Sequence, residues 1–409
     1  QYDRGVSAST GFFRSSVMST IKVDEIYGDL PTDAVDLPNK LKVGGASVEQ
    51  GYTASGSEPS SPSNGDYWWD TGNNKLYKYM DGGFKELGVA AGSFFGTRGV
   101  IAAGYGTQAN GYGADTIQYI TITSPGNATD FGDLTRRMYY NASHSDGSRM
   151  LVAGGRTSSS YQNSIEYLTI GTTGNGTDFG DMTEARGILA GGGDATRSLF
   201  AGGQGQTNTG APSNRNESRT IDYVTTGTAG NATDFGDLSY FRDYLTATAD
   251  LTRTVIGGGE DYSGGGNSAV TTMDYVTTQT TGNAADFGDL TKARYALNSG
   301  VIANSVRGIF TSGYGTTYEN IIDYITIQTA GNATDFGDTL QGLLDPATCS
   351  DGTTGIIAGG SRGGSGSQDD NTIQKITIDT AGNATDFGNL NAIDGQDSFN
   401  KNNTAASGT

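Results

Sequence analysis

Pairs of acidic side chains recur through this sequence at a spacing that could ligate a metal ion. Two aspartates stand three residues apart in a phrase close to GNATDFGDL, and in the last of its six copies Asn389 replaces the second aspartate. Ca²⁺ takes about six to eight oxygen ligands, so two carboxylates per copy are too few unless backbone carbonyls contribute. The copies occupy 126–134, 174–182, 230–238, 282–290, 331–338 and 382–390.

Turn chemistry is the alternative explanation for this phrase. Asn and Asp side chains bond the local backbone, and Gly supplies positive φ without steric cost. The spacing matches neither an EF-hand loop nor the nonapeptide calcium repeat. The pattern therefore favours a structural turn, and we expect no metal and no cofactor.

The same phrase creates Asn-X-Thr sequons, which are glycan acceptors in secreted eukaryotic proteins. Their recurrence at one position of the repeat favours backbone capping by the asparagine instead. The sequons begin at Asn127, Asn175, Asn231, Asn332 and Asn383.

Residues for nucleophilic or metal-assisted catalysis are scarce. The chain has one histidine, His144, and one cysteine, Cys349. A His-based triad or a multi-His metal site needs more than this. We interpret Cys349 as a small buried apolar residue, and we predict that the protein is not an enzyme.

Charge and hydropathy exclude two classes of partner. The formal net charge is −19, whereas binding to a nucleic-acid backbone requires clustered Lys and Arg. No stretch of about 18 apolar residues is present, so no membrane span is expected.

The chemistry-bearing residues sit in a repeat of about 50 residues with four short strands. A small apolar run comes first, then an apolar run that ends in glycines, such as RSLFAGG (197–203). A third run alternates with period two, such as IDYVTT (221–226), and the DFGD phrase is the fourth. Four consecutive antiparallel strands are one blade of a β-propeller. The sequence predicts an all-β fold.

Six full blades are predicted at 89–134, 138–182, 187–238, 243–290, 295–338 and 342–390. We expect a seventh blade built from both chain ends, with two strands from 66–88 and two from 391–409. In this blade NTAASGT (403–409) would be the glycine-rich strand, because it aligns with TGIIAGG (354–360). The alternative is six blades and a separate hairpin at 66–87. The predicted domains are an amino-terminal segment with a linker at 1–65 and a propeller at 66–409.

The loops that follow the glycine-rich strands vary in length and should all emerge on one face. Their Tyr, Ser, Gly and Asn content is typical of adaptable binding loops. Tyr side chains could stack on sugar rings, and Arg side chains could hold acidic groups. Solvated loops with no ligand are the alternative. The candidate ligand-binding residues are Tyr105, Tyr112, Arg156, Tyr161, Arg215, Tyr262, Tyr314, Tyr318 and Arg362.

The repeat resembles the kelch family. The corresponding elements are Arg186 or Arg294, Gly202–Gly203, Asp222 with Tyr223, and Phe235 through Leu238. Phe stands where many kelch repeats have Trp. The resemblance implies a propeller of four-stranded blades.

The amino-terminal segment resembles virion proteins of marine phages, especially those of cyanobacterial viruses. The resemblance rests on MSTIKVDEI (18–26), VDLPNKLKVGG (35–45) and NGDYWWDTGNNKLYKY (64–79), and the GNATDFGDL arrays also look like repeats of such proteins. It implies a virion structural protein of the tail-fibre or appendage type. Residues 1–65 would attach it to other virion proteins, and the loops would face a host glycan or a neighbouring subunit. The alternatives are a glycan-active enzyme on a propeller scaffold and a cellular kelch-type interaction module.

Overall fold

A computed structural model describes most of the repeat region and part of the amino-terminal segment. The contacts divide the chain into two compact units, Gln1–Ala91 and Gly92–Thr409. The described residues are 42–43, 46–47, 52–55, 57–61, 67–70, 75–80, 83–86, 94–105, 107–108, 111–205, 216–261, 268–297, 299–362, 368–391 and 403–409.

In the first unit, the described residues form six β-strands and an irregular segment at 57–61. Lys42–Val43 pairs with Ala46–Ser47 in an antiparallel ribbon. A four-stranded sheet has the order Tyr52–Ser55, Tyr67–Asp70, Lys75–Met80 and Gly83–Glu86, and its first two strands are parallel. The MSTIKVDEI motif (18–26) lies outside the described residues.

The second unit is a six-bladed β-propeller of four-stranded antiparallel sheets. From the channel outward, blade 1 contains Thr404–Gly408, Arg98–Ala102, Ala114–Thr121 and Thr129–Met138. Blade 2 contains Ala142–Ser145, Arg149–Ala153, Ser164–Thr169 and Thr177–Asp181, and blade 3 contains Ala190–Gly193, Arg197–Ala201, Thr220–Thr225 and Thr233–Asp237. Blade 4 contains Thr246–Ala249, Arg253–Gly257, Thr272–Thr277 and Ala285–Asp289. Blade 5 contains Ile302–Ala303, Arg307–Thr311, Ile321–Thr326 and Thr334–Asp338, and blade 6 contains Ala347–Ser350, Thr354–Ala358, Thr372–Thr377 and Thr385–Asn389.

Short ribbons extend the blades at one end. Thr107–Gln108 pairs with Gly111–Tyr112, Arg186–Gly187 with Gln204–Gly205, and Glu260–Asp261 with Ser268–Ala269. Ser361–Arg362 lies between Leu343–Leu344 and Gln368–Asp369.

The prediction of a seventh blade is wrong, and the six-blade alternative is confirmed. Thr404–Gly408 is the innermost strand of blade 1, with Thr404 opposite Ala102 and Gly408 opposite Arg98. The strands within 67–86 pair with one another and with Tyr52–Ser55. NTAASGT (403–409) is therefore an inner strand and not the predicted glycine-rich strand, since both kinds of strand are short runs of small residues that the sequence does not distinguish. One strand is enough to remove the open edge of the ring.

The GNATDFGD phrase joins each blade to its neighbour. In blade 3 the side-chain oxygen of Asn231 accepts a hydrogen bond from the backbone N–H of Asp181 in blade 2, at 3.1 Å. The glycine of the DFGD phrase has φ near 147° at Gly180, where a Cβ would lie 2.4 Å from the Gly230 carbonyl oxygen. The bond recurs at all six junctions, through Asn175, Asn231, Asn283, Asn332, Asn383 and Asn127.

These contacts confirm that the asparagines cap the backbone. They also explain why the phrase is nearly constant, since each copy must fit the copy in the next blade. The bond from Asn389 N–H to the Asn127 side chain closes the ring between blades 6 and 1 at 3.1 Å. The first aspartate of each phrase is solvent-exposed.

Aromatic and cationic side chains stack in a fixed order within a blade. In blade 3 the guanidinium of Arg197 lies 4.3 Å from the ring centroid of Tyr223, which meets buried Phe235 edge-on at 5.9 Å. The same arginine donates to the Thr278 carbonyl of blade 4 at 3.0 Å. Phe235 packs between these two blades, against Leu245 and Ile256 among others. Blades 1 to 5 share this stack, through Arg98, Arg149, Arg197, Arg253 and Arg307.

Buried ion pairs fix three of the blades. Arg186 pairs with Asp222 at 2.8 Å, Arg242 with Asp274 at 2.6 Å and Arg294 with Asp323 at 2.9 Å, all with fully buried side chains. Blade 6 has Leu343 and Gln374 at the corresponding positions, and Gln374 accepts from the Leu340 N–H at 2.7 Å. Blade 6 thus lacks both charges, whereas blade 2 has Met138 and buried Glu166 at these positions, and Glu166 accepts hydrogen bonds from the Thr135 N–H and hydroxyl at 2.9 and 2.6 Å.

We predict that Arg242→Leu lowers the free energy of unfolding by about 3–5 kcal/mol, because it leaves Asp274 buried without its counter-charge. The double variant Arg242→Leu with Asp274→Gln reproduces the blade 6 pair and should recover at least about half of that loss. Denaturant unfolding of the two variants measures both values. A double variant no more stable than Arg242→Leu would contradict the ion-pair account.

Candidate functional site

Two sets of segments form one end of the propeller, which we call the upper face. One set connects the second strand of each blade to the third, and the other leads into the inner strand. They meet in isolated bridges such as Tyr139 with Arg156 and Tyr295 with Tyr314. The variable loops of the sequence therefore share one face.

A row of tyrosines crosses the upper face. Tyr140 of blade 2 and Tyr244 of blade 4 are in edge contact at 5.7 Å between ring centroids, and their hydroxyls are 3.3 Å apart. Tyr295 continues the row beside Tyr244 at 5.6 Å. The full sequence of contacts runs Tyr105, Tyr139, Tyr140, Tyr244, Tyr295, Tyr314 and Tyr318, with centroid distances between 4.9 and 5.7 Å.

Three of the predicted binding residues belong to this row. Tyr105, in the loop after the second strand of blade 1, packs on Tyr139 at one end of the row. Tyr314 and Tyr318, in the corresponding loop of blade 5, form the other end. The four central members, Tyr139, Tyr140, Tyr244 and Tyr295, were not predicted as binding residues. A sequence signal for them existed, because YYNAS, YLTAT and YALNS all begin with tyrosine just before an inner strand.

The other predicted residues are distributed over the face. Arg156 lies over the ring of Tyr161 at 5.4 Å, and the Tyr161 hydroxyl donates to Gln204 of blade 3. Arg362 forms an ion pair with Asp370 at 3.4 Å. The side chain of Tyr112, together with Arg215 and Tyr262, lies outside what the structure describes. The structure thus gathers Tyr105, Tyr314 and Tyr318 in one row but places Arg156, Tyr161 and Arg362 in separate contacts.

A ring of left-handed residues surrounds the channel at the upper face. Residues with φ between 48° and 61° precede the inner strands of blades 2 to 6, at Tyr140, Ile188, Tyr244, Ala296 and Asp345. Non-glycine residues in this conformation store strain and cluster at functional sites. The backbone N–H of Ile188 donates to the carbonyl of Tyr140, and each later member of this list donates in the same way to the member before it. These four hydrogen bonds are 2.9–3.1 Å long. The strain is thus balanced by bonds that tie each blade to the next.

The central channel is blocked by blade 5. Its inner strand is short, and Ser299 reaches across to the Asn141 carbonyl of blade 2 at 3.3 Å and to the Thr404 hydroxyl of blade 1 at 3.1 Å. Gly300 has φ 110°, and a Cβ there would lie 2.0 Å from the Thr348 carbonyl oxygen, so only glycine fits. The block separates an upper cavity of about 30 Å³, which Ser299 lines, from a lower one of about 10 Å³, which Val301 lines.

The upper cavity opens among the left-handed residues and the tyrosine row. Its polar lining includes Tyr140, Tyr244, Asn141, Asn403 and Asp345. Burial is the main cause that raises the pKa of the Tyr140 and Tyr244 hydroxyls above the ordinary value, with a further contribution from the Asp345 charge. Burial likewise raises the pKa of Tyr295 to about 12. The hydroxyls of Tyr140, Tyr244 and Tyr295 are therefore protonated at neutral pH.

The only histidine lies at the lower cavity. His144 is buried beside Phe94, with ring centroids 5.5 Å apart, and its Nδ1 is 3.0 Å from the Ser198 hydroxyl. Its Nε2 has no hydrogen-bond partner within the described part of the chain. Burial lowers the pKa of His144 to about 4, so it is neutral at pH 7. Cys349 is also buried, and burial raises the pKa of its thiol to about 12.

Within the described ranges, no three His, Cys, Asp or Glu side chains come together as a group that could hold a metal ion. Nor do those ranges contain a helix with the length and apolar character needed to cross a membrane. No model of a known protein family matches the chain, and no curated protein matches it in sequence.

We predict that His144 makes the folded protein less stable in acid. Its pKa is about 4 when folded and about 6.5 when unfolded. The stability contributed by neutral His144 is thus fully present above about pH 6.5 and is lost as pH falls toward 4, by about 3 kcal/mol in total. The measurement is the unfolding free energy of the protein and of the His144→Gln variant at pH 7 and at pH 4. The difference between the two losses is the contribution of His144.

The same residue gives a direct spectroscopic readout, because the chain has one histidine. The imidazole signal of the folded protein should keep its neutral shifts down to about pH 5. Titration of that signal near pH 6.5 in the folded protein would contradict the buried environment.

Proposed function

We propose that this chain is a phage virion structural protein, of the tail-fibre or surface-appendage type, with a kelch-like propeller that recognises a host-surface glycan. The particle, outside the cell, would be its location, and residues 1–65 would attach it to other virion proteins. The observation that carries the proposal is the tyrosine row on the same face as the variable loops. The resemblance of the amino-terminal segment to marine phage virion proteins supports the virion part.

The chemistry of the row suits a carbohydrate. Aromatic rings offer large rigid surfaces that lose little conformational entropy on binding, and tyrosine adds a hydroxyl at the ring edge. The contacts of Tyr314 with Tyr295 and Tyr318 hold these rings in place before a ligand arrives. Preorganised groups of this kind increase affinity by reducing the entropy lost on binding.

The remainder of the face supports adaptable recognition. Loops of different length follow the second strand of each blade, while the strands and the inter-blade bonds of the GNATDFGD phrase are constant. Sequence variation on a constant scaffold is the usual arrangement of recognition surfaces. A neighbouring subunit could also occupy such a face, and the binding experiment separates the two.

We expect the double variant Tyr314→Ala with Tyr318→Ala to bind host-surface glycan at least about tenfold more weakly, because it removes two stacking surfaces. Binding to immobilised lipopolysaccharide and capsular polysaccharide of the host cell measures the change. Leu251→Ala is the control, since Leu251 is exposed in a turn at the opposite face. Equal binding by both variants would contradict glycan recognition by the row.

Incubation of the protein with those polysaccharides separates binding from catalysis. If the protein only binds glycan, no reducing ends should be released. Depolymerisation would favour a glycan-active enzyme.

The virion assignment has its own test. Peptides of the chain should be found by mass spectrometry in gradient-purified particles of the virus that encodes it, in a fixed ratio to the major capsid protein. Their presence only in the lysate fraction, with none on particles, would contradict the assignment.

A further inference from the structure

One capping asparagine of the ring differs from the other five in the residue that follows it. Blade 2 has Asn175–Gly176, whereas each of the other copies has alanine after the asparagine, as in Asn231–Ala232. Asparagine is chemically labile, because the backbone nitrogen of the next residue attacks its side-chain amide. A Cβ on that next residue hinders the attack, and glycine has none. Asn175 is also solvent-exposed, so this copy is the one most open to the reaction.

The glycine of blade 2 has a structural reason. A Cβ on residue 176 would clash with Oε2 of Glu166 and would lie 3.3 Å from Cα of Leu134. Hydrogen bonds from Thr135 hold both carboxylate oxygens of Glu166 in place, at 2.6 and 2.9 Å. The corresponding residue in blades 3, 4 and 5 is the shorter aspartate, at Asp222, Asp274 and Asp323. The labile pair therefore accompanies the buried glutamate of this blade.

The closed junction between blades 1 and 2 opposes the reaction. The Gly176 N–H donates to the Asp133 carbonyl at 2.8 Å, and Asn175 Oδ1 accepts from the Asp133 N–H at 3.1 Å. Attack requires the Gly176 nitrogen to lose its proton and to approach Cγ of Asn175, and both hydrogen bonds must break first. The corresponding bond from the residue after the asparagine is 2.8 Å long at all six junctions. The junctions are thus matched in geometry and differ in the residue that follows the asparagine.

We propose that Asn175 is a site of spontaneous deamidation, which proceeds when the junction between blades 1 and 2 opens and is suppressed while the junction is closed. The Gly176 nitrogen bonds to Cγ of Asn175, the Cγ–Nδ2 bond breaks, and ammonia leaves with the proton of the Gly176 N–H. The product is a succinimide ring. Water, the only co-reactant, then opens this ring at one of two bonds. Cleavage between the nitrogen and Cγ gives aspartate, and cleavage between the nitrogen and the main-chain carbonyl carbon gives isoaspartate.

The two products have different effects on the ring. Aspartate keeps the course of the main chain and still has an oxygen that accepts from the Asp133 N–H. Isoaspartate lengthens the main chain by one carbon, so the two hydrogen bonds to Asp133 no longer form together. Each blade relies on its neighbours for burial, and isoaspartate at residue 175 should therefore lower the melting temperature. A transient opening of this junction would in this way become permanent.

The experiment incubates the full chain in mildly alkaline buffer, which favours loss of the amide proton, with and without urea. Peptide mass spectrometry, after separation of the aspartate and isoaspartate forms, follows each capping asparagine. In urea, Asn175 should react at least about tenfold faster than Asn231, because glycine follows it. Native buffer should slow Asn175 by at least about tenfold, because local opening then limits the rate. Asn64 and Asn110, which also precede glycine, are reference sites in urea.

Two variants exchange the residue after the asparagine. Ala232→Gly places an Asn-Gly pair in the same hydrogen-bond arrangement of blade 3, and Asn231 should then deamidate at least about tenfold faster in urea. The double variant Glu166→Gln with Gly176→Ala reproduces the residues of blade 6, Gln374 and Ala384, and should slow Asn175 by at least about tenfold in urea. These comparisons in urea do not depend on how well the variants fold.

Four results would overturn parts of the proposal. Asn175 that stays intact in urea while Asn64 and Asn110 react would remove the site. Equal rates at Asn175 in native buffer and in urea would show that the closed junction does not protect it. An unchanged rate at Asn231 in the Ala232→Gly variant would contradict the role of the following glycine. A protein with isoaspartate at residue 175 and an unaltered melting temperature would contradict the effect on the ring.

Discussion

The propeller depends on the pairing of Thr404–Gly408 with Arg98–Ala102. Blade 1 would otherwise have three strands and an open inner edge, facing the channel. No blade can cover both of its faces, so each one relies on its two neighbours for burial. Since the closing strand comes from the other end of the repeat array, loss of this one pairing would expose two blade faces together.

The junctions show how one phrase can build a closed ring. Each asparagine of the GNATDFGD phrase caps a backbone N–H in the preceding blade, and the bond between blades 6 and 1 has the same geometry as the others. A glycine at high positive φ lets the phrases of adjacent blades approach within contact of their backbones. The repetition of the phrase therefore reflects sixfold packing, in which every copy meets a nearly identical copy in the next blade.

Much of this architecture could be predicted from the sequence, for definite physical reasons. The period-two pattern of IDYVTT and the glycine-bounded runs identify strands, and the 50-residue repeat identifies blades. The closing strand could not be placed, because NTAASGT has the small residues of both inner and glycine-rich strands. The tyrosine row was predicted only at its ends. Tyr244 and Tyr295 lie in connections to inner strands, and their proximity follows from the ring, which brings together residues about 50 positions apart.

The repeated contacts between blades and the loops that vary in sequence lie in different parts of the propeller. The stacks of arginine, tyrosine and phenylalanine and the buried ion pairs hold the blades together, and the variable loops lie at the upper face. Ser299 and Gly300 close the channel, so that the upper cavity does not continue to the opposite face. The tyrosine row lies at this end of the ring, which is where the proposed glycan recognition would take place.

Amide hydrogen exchange of the closing strand tests the ring most directly. In the closed propeller the N–H groups of 404–408 that bond Arg98–Ala102 should exchange as slowly as those of the inner strands Thr246–Ala249 and Ala347–Ser350. Rapid exchange at 404–408, with the inner strands of blades 4 and 6 still protected, would show that this segment does not close the ring.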